Sequence, residues 1–237
     1  MFRVAGYTDV DVFQKVRSQL LEEKVFTEAN LLGTFARTGP FQNTKGLDAL
    51  AAPAHRSAVT VFARDKPVAL GLVIAADGWV VTKASALSGP LVCQLADGRK
   101  LEATLNGKSD KHDLAVLHLP AENLPAAAWS DCSVPPIGRV VASIGPEPTP
   151  LSFGVVCSGA GSLPAVKGEL ARGFCDVFVH DGLLNSQQCG GPVVDTTGKV
   201  VALNITTRIL DDTRAYAIPA AVVRKTVDEL RKERPAK

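Results

Sequence analysis

The side chains of this sequence that are most able to do chemistry are a thiol, a carboxylate and four imidazoles. Cys189 precedes the turn-forming peptide Gly190-Gly191-Pro192, and Asp113 stands directly before an apolar run. Acyl transfer requires a nucleophile, a base that takes its proton, and an acid that orients the base. A thiol can serve as a nucleophile, a carboxylate as an orienting acid and an imidazole as a base, so the sequence contains all three kinds of group.

Two histidines are close in sequence to these candidates. His180 lies beside Asp181 and nine residues before Cys189, which makes it the candidate for a non-standard cysteine–histidine pair. His112 adjoins Asp113, but successive side chains in an extended segment point in opposite directions. A histidine in a strand is more often a structural residue, so both imidazoles also have a purely structural interpretation.

The composition excludes several classes of protein. A chain of 237 residues with 46% hydrophobic content can bury a full core, and a net charge of +2 without a basic cluster argues against a nucleic-acid partner. No apolar run approaches the ~20 residues of a membrane span and no signal peptide is visible, so we expect no membrane partner and a cytoplasmic location by default. Five cysteines without C-x-x-C spacing predict neither a disulfide framework nor a metal site, and no cofactor motif is present.

The elements that must position these residues are mostly short strands. Helical spacing from Thr8 to about Leu32 predicts an N-terminal helix, followed by a linker to residue 54. An amphipathic helix closes the chain from about Ala220 to Glu233, within residues 220–237. Between them lie eleven β-rich runs, at 58–63, 69–75, 79–82, 91–95, 101–106, 114–119, 140–144, 153–158, 177–180, 192–194 and 200–205. A proline-rich stretch divides the runs, which predicts two small β-barrels at about 55–123 and 135–219 within a unit of residues 55–219.

Several motifs in this region resemble those of trypsin-like proteases of the HtrA type. They occur from about Ser57 to Glu233, in the order and near the spacing of that family. They are Cys189-Gly190-Gly191-Pro192 for G-N-S-G-G-P, Asp113-Leu114-Ala115-Val116-Leu117 for D-L-A-V-L, Asp77 to Thr82 for D-G-Y-I-V-T, Asp181 and Asn185 for D-A-A-I-N, and Tyr216 to Pro219 for F-A-I-P. The resemblance implies an all-β fold of two six-stranded antiparallel barrels, and the chain stops where such proteins usually continue into a PDZ domain.

The resemblance also implies roles for individual residues. Cys189 stands at the nucleophile position, Asp113 at the orienting acid, and Ser85 where the family has its histidine. A serine hydroxyl has no useful proton affinity near neutral pH, so the triad lacks a base. Gln187 and Gln188 stand at the oxyanion-hole segment, and Gln187 replaces a family glycine. If that position needs a left-handed backbone, Gln187 is either strained there or its peptide turns over.

We therefore interpret the chain as a protease homologue without peptidase activity that binds a peptide or protein segment in the substrate cleft, by pairing with a strand edge. For the N-terminal helix two interpretations are open: it packs on the barrels, or it mediates self-association. A second hypothesis is an active endopeptidase or hydrolase that uses Cys189 with His180 or with a histidine from a partner chain. A third is a redox-sensitive thiol at Cys189, and the plainest interpretation of this cysteine is a small buried core residue.

Overall fold

The computed structural model describes residues 53–163, 174–209 and 212–232. The predicted N-terminal helix and its linker lie outside the described residues. No helix in the described ranges has the length and apolar character needed to cross a membrane.

The first six strands form one closed antiparallel barrel. They are β1 (Ala58–Ala63), β2 (Lys66–Val73), β3 (Trp79–Lys83), β4 (Leu91–Leu95), β5 (Lys100–Ser109) and β6 (Leu114–His118). Around the barrel they are ordered β1-β2-β3-β6-β5-β4. Strand β4 shows why the sequence folds in this way: Leu91, Cys93 and Leu95 are buried while the residues between them are half-buried, the alternation of a strand with one face in a core.

The next six strands close a second barrel. They are β7 (Val140–Ser143), β8 (Ser152–Leu163), β9 (Phe174–His180), β10 (Pro192–Val194), β11 (Val200–Ile209) and β12 (Asp212–Pro219), ordered β10-β11-β12-β9-β8-β7. The sequence prediction of an all-β fold with two six-stranded barrels is therefore confirmed. Helix α1 (Ala220–Lys232) follows, and it buries Val223, Val227 and Leu230 at the spacing of one helical face.

One strand was not predicted from the sequence. We expected eleven strands, but the structure has a twelfth, β12, where we had assigned only the motif that opens the last helix. Its first residues are polar, so no alternating pattern marks them. Tertiary pairing forms the strand, because Ile218 faces Leu203 of β11 and Tyr216 faces Val179 of β9.

Turns connect neighbouring strands as the sequence predicts. Between β2 and β3 the chain reverses at Asp77-Gly78, and Gly78 has φ of 96°. A Cβ at this position would lie 2.1 Å from the carbonyl oxygen of Leu119, so the turn requires glycine for both its backbone angle and its close packing.

Candidate functional site

Three loops bring the predicted site residues to the junction between the barrels. Ser85 follows β3, Asp113 precedes β6, and Cys189 precedes β10. The amide of Ala84 donates a 2.8 Å hydrogen bond to the carbonyl oxygen of Asp113, which holds the first two loops together. The backbone thus places residue 85 beside Asp113, the residue expected to be the orienting acid.

Ser85 is bound to Asp113 by two hydrogen bonds. Its amide donates to Oδ1 at 2.7 Å and its hydroxyl donates to Oδ2 at 2.7 Å. Asp113 is 1% exposed and adopts the left-handed region with φ of 53°. The hydroxyl is therefore a hydrogen donor to the carboxylate, and it offers no basic lone pair comparable to that of an imidazole nitrogen.

Lys83 compensates the charge of this buried carboxylate. Its ammonium lies 3.2 Å from Oδ2 of Asp113, and it donates a second, 2.5 Å hydrogen bond to the carbonyl oxygen of Ile205 in β11. A buried carboxylate without a partner would be strongly unfavourable, so Lys83 supplies the positive charge that the site needs. It also joins a strand of the first barrel to a strand of the second.

The loop before Cys189 is stabilised by hydrogen bonds among its own residues. Ser186–Gln188 form a short 3₁₀ helix, capped by Asn185, whose side chain accepts from the Gln188 amide at 3.1 Å. In return the Gln188 side chain accepts from the Asn185 amide at 2.9 Å, which completes a reciprocal capping box. The amide of Cys189 donates to the carbonyl oxygen of Ser186 at 3.3 Å. The amides of Gln188, which the sequence places in the oxyanion-hole segment, and of Cys189 are therefore both engaged within the loop.

Gln187 occupies this 3₁₀ helix without left-handed strain. Its side chain is exposed, and the residue is not among the described non-glycine residues with positive φ. Of the two sequence-based expectations, strain at Gln187 is therefore not what the structure adopts. The loop follows ordinary right-handed geometry because Asn185 and Gln188 stabilise it.

Gly190 fixes this loop against the first barrel. It has φ of 89°, and a Cβ would lie 2.2 Å from the carbonyl oxygen of Leu70 in β2. The Leu70 amide in turn donates to the carbonyl oxygen of Cys189 at 2.9 Å. Glycine is thus required after Cys189 for two reasons: its backbone angle is positive, and the backbone of β2 passes too close to leave room for a side chain.

The thiol of Cys189 is buried. The residue is 1% exposed, and its sulfur contacts the carbonyl oxygen of Asn185 at 3.8 Å. Burial raises the pKa of this thiol to about 11, while the nearby Lys83 ammonium opposes the rise and the Asp113 carboxylate adds to it. No hydrogen bond joins the thiol to the Ser85 hydroxyl in the described part of the chain. All five cysteines are free thiols.

His180 has partners other than the thiol. Its Nδ1 accepts from the Gly182 amide at 3.2 Å, so the neutral ring carries its proton on Nε2 and donates it to Oδ1 of Asn204 at 2.8 Å. The Asn204 amide group continues to the Ser143 hydroxyl at 3.0 Å. Burial lowers the pKa of His180. Both ring nitrogens are thus engaged in a polar network inside the second barrel.

His112 is also buried away from the thiol. Its Nδ1 lies 3.0 Å from the Thr226 hydroxyl in α1, and its Nε2 lies 3.5 Å from Oδ2 of Asp176 in β9. Burial lowers the pKa of His112, and the Asp176 carboxylate opposes that shift. The ring therefore sits between the turn that carries Asp113 and the last helix.

Neither the role of Lys83 nor the capping box of this loop was predicted from the sequence. Lys83 stands two residues before Ser85, so the sequence already places its charge near the site, and this was the available signal. The spacing of Asn185 and Gln188 is that of a capping box and could also have been recognised. No local signal pointed to Ile205 as a partner of Lys83, since 122 residues separate them.

Comparison with known proteins agrees with this architecture. The sequence profile of the trypsin-like peptidase domain matches residues 69–203. A Halomonas elongata protein named "Probable periplasmic serine endoprotease DegP-like" is 32% identical over 171 residues, which cover 69% of this chain and 35% of that protein. A Brucella suis protein of the same name is 33% identical over 181 residues, which cover 71% and 34% respectively. The chain thus spans about a third of the length of these relatives.

Solved structures share the same fold. The serine endoprotease of Yersinia pestis superimposes with a TM-score of 0.65 at 24% identity, over 79% of this chain and 67% of that one. The HtrA-type protease AlgW, solved with a decapeptide, gives a TM-score of 0.65 at 18% identity, over 78% and 67%. With the profile match, the motifs and the two barrels taken together, the chain belongs to the trypsin-like peptidase family and is a protease domain of the HtrA type.

Proposed function

We propose that this domain has no peptidase activity and binds an extended peptide or protein segment in the cleft between its barrels. The observation that carries the proposal is the hydroxyl of Ser85 hydrogen-bonded to Asp113, where the family has an imidazole. A nucleophile cannot lose its proton to this group, and a departing amine cannot receive one from it. Loss of the base of a triad lowers the rate by on the order of a millionfold.

Two further features support inactivity. The thiol of Cys189, with its pKa at about 11, is protonated at neutral pH. The Cys189 amide donates to the Ser186 carbonyl oxygen of its own loop, so a substrate oxygen would have to compete for this donor. Removal of one such donor in an active protease costs roughly a hundred- to a thousandfold in rate. Nucleophile, base and oxyanion donor are thus all altered relative to what the reaction needs.

The backbone of β11 supports binding of an extended segment. Its pairing with β10 ends at Leu203, yet β11 continues to Ile209. From Thr206 onward, within the described residues, the strand pairs only with β12. An extended peptide can add to such an edge through main-chain hydrogen bonds. The HtrA-type protease AlgW was solved with a decapeptide, and we extend peptide binding to this chain.

The alternative of a thiol hydrolase or a redox-sensitive thiol has less support. Both would require Cys189 to be accessible with a depressed pKa, whereas burial raises its pKa. The hydrolase would also need His180 beside the sulfur, and that ring is bound to Asn204 and Gly182. We therefore do not propose either role.

A binding measurement with one substitution inside the cleft and one outside it tests the proposal. The probe is fluorescein-labelled β-casein, an unstructured polypeptide, followed by fluorescence anisotropy, with mass spectrometry to check that it stays intact. We expect the wild-type domain to bind it uncleaved and Ser85→Trp to weaken binding at least tenfold. Ser133→Trp, at an exposed serine in the connection that leads from β6 to β7, is the matched control outside the proposed binding site and should bind like wild type. Equal binding by all three proteins would contradict a role for the cleft.

A further inference from the structure

The ammonium of Lys83 occupies a main-chain acceptor of the second barrel. Lys83 ends β3, and its side chain is 17% exposed, so water can still reach it. The ammonium divides its hydrogen bonds between the Asp113 carboxylate and the carbonyl oxygen of Ile205. The contact with Asp113 neutralises a buried charge. The contact with the Ile205 carbonyl oxygen is not needed for that purpose.

Ile205 is the first residue of β11 whose edge is not hydrogen-bonded to β10 or to the glycines that precede it. Up to Asn204 the edge is covered, because the Gly190 amide donates to the Asn204 carbonyl and the Asn204 amide donates to the Gly191 carbonyl. In the ladder with β12, Asn204 faces Ala217 and Thr206 faces Tyr216 across an irregularity at Ile205. The bulged residue therefore has no opposite residue in β12, and its carbonyl is left to another donor. That donor is Lys83.

We propose that Lys83 is a built-in competitor for the peptide-binding edge, so that a segment adding to β11 must displace its ammonium from the Ile205 carbonyl. This inference rests on the binding role proposed above. A buried main-chain carbonyl needs a hydrogen-bond donor, and an incoming backbone N–H can replace the ammonium. The displaced ammonium keeps its ion pair with Asp113 and regains water at its exposed side, so the exchange is reversible.

The contact can be removed without leaving a buried charge. Lys83→Met alone would deprive the Asp113 carboxylate of its cation, which would confuse loss of the contact with loss of stability. The double variant Lys83→Met with Asp113→Asn removes both charges and frees the Ile205 carbonyl. Asp113→Asn alone is the matched control, because it keeps Lys83 and its bond to Ile205. Lys83→Leu with Asp113→Asn is a second variant in case the first does not fold, as judged by circular dichroism.

Titration of each protein with fluorescein-labelled β-casein, followed by anisotropy, tests the proposal. We expect the double variant to bind about tenfold more tightly than Asp113→Asn, a difference that corresponds to about 1.4 kcal/mol. Equal affinity of the two folded variants would overturn the competitor role, while binding by wild type would leave the proposed function standing. Absence of binding by wild type and by every variant would overturn both.

Discussion

The hydroxyl of Ser85 donates a 2.7 Å hydrogen bond to Oδ2 of Asp113, the same oxygen that the Lys83 ammonium approaches at 3.2 Å. Residue 85 therefore contacts the acid as an oriented imidazole would, but the group that makes the contact is a hydroxyl. The acid accepts a hydrogen bond from a hydroxyl and forms an ion pair with an ammonium group. This arrangement gives a buried carboxylate hydrogen-bond and ion-pair partners, and neither Ser85 nor Lys83 carries an imidazole.

Ser85→Ala should destabilise the fold modestly. The substitution removes the side-chain bond to Asp113 but keeps the bond from the backbone amide. Because Ser85 is exposed, we expect a loss of about 1 kcal/mol in the free energy of unfolding, measured by urea denaturation. Ser88→Ala, at an exposed serine three residues later, should change it by less than about 0.5 kcal/mol. An equal effect of the two substitutions would mean that the contact contributes nothing.

Lys83 and Asp113 should be strongly coupled in stability. Lys83→Met leaves a carboxylate that is 1% exposed without its cation, so we expect about 3 kcal/mol of destabilisation. The double variant with Asp113→Asn should lose less than the sum of the two single variants. Urea denaturation of the four proteins measures the coupling. Additive losses would show that the ion pair is not what stabilises this junction.

The thiol of Cys189 should resist alkylation. Its pKa is raised from 9.0 to about 11, so the folded protein holds about a hundredfold less thiolate at this position than the unfolded chain near neutral pH. Iodoacetamide labelling at pH 7, mapped by peptide mass spectrometry, should therefore modify Cys189 far more slowly in buffer than in urea. Cys132, which is half-buried, serves as the internal reference within the same digest. Labelling of Cys189 at the unfolded rate would contradict its burial.

The two buried histidines should make the fold sensitive to acid. Burial lowers the pKa of both His112 and His180 below the ordinary value of 6.5, so the folded state favours the neutral rings. Their contribution to stability is full above pH 6.5 and is lost as the pH falls below it, because the unfolded rings take up protons more readily. The free energy of unfolding should therefore fall between pH 6.5 and pH 5.

Asp176→Asn should change the pKa of His112 but not that of His180. The Asp176 carboxylate raises the pKa of His112, against burial and against the nearby Lys111, while Glu229 acts in the same sense as Asp176. Removing the Asp176 charge should lower the pKa of His112 further and leave that of His180 where it was. A proton NMR titration of the ring resonances measures both. A shift in the opposite direction would contradict the geometry of the His112 and Asp176 side chains.

Restoring the histidine alone should not restore proteolysis. In Ser85→His the new ring would have to share Asp113 with Lys83, and the Cys189 amide would still donate to Ser186. We expect activity only when Lys83→Asn and Gln187→Gly are added, which remove the cation and loosen the capped loop. Casein hydrolysis that depends on both Asp113 and Cys189 is the measurement. Full activity from Ser85→His alone would show that neither Lys83 nor the loop is an obstacle.

Most of the fold was predictable because the barrel strands carry a local signal. Alternation in β4 and glycine turns such as Gly78 are properties of a few adjacent residues, and they predict strands and reversals directly. β12 begins with polar residues and exists because two neighbours pair with it, so its signal is tertiary. In the site, motif order located Ser85, Asp113 and Cys189. The contact between Lys83 and Ile205 was not predictable, since it crosses from one barrel to the other.

We propose that no described side chain beside Cys189 can accept the proton of a nucleophile or return it to a leaving amine. Hydrolysis of β-casein by the purified wild-type domain, compared with Cys189→Ala at the same concentration, tests it most directly. We predict that the two proteins release peptides at the same background rate. Hydrolysis by the wild type at an ordinary proteolytic rate, abolished by Cys189→Ala, would contradict the claim.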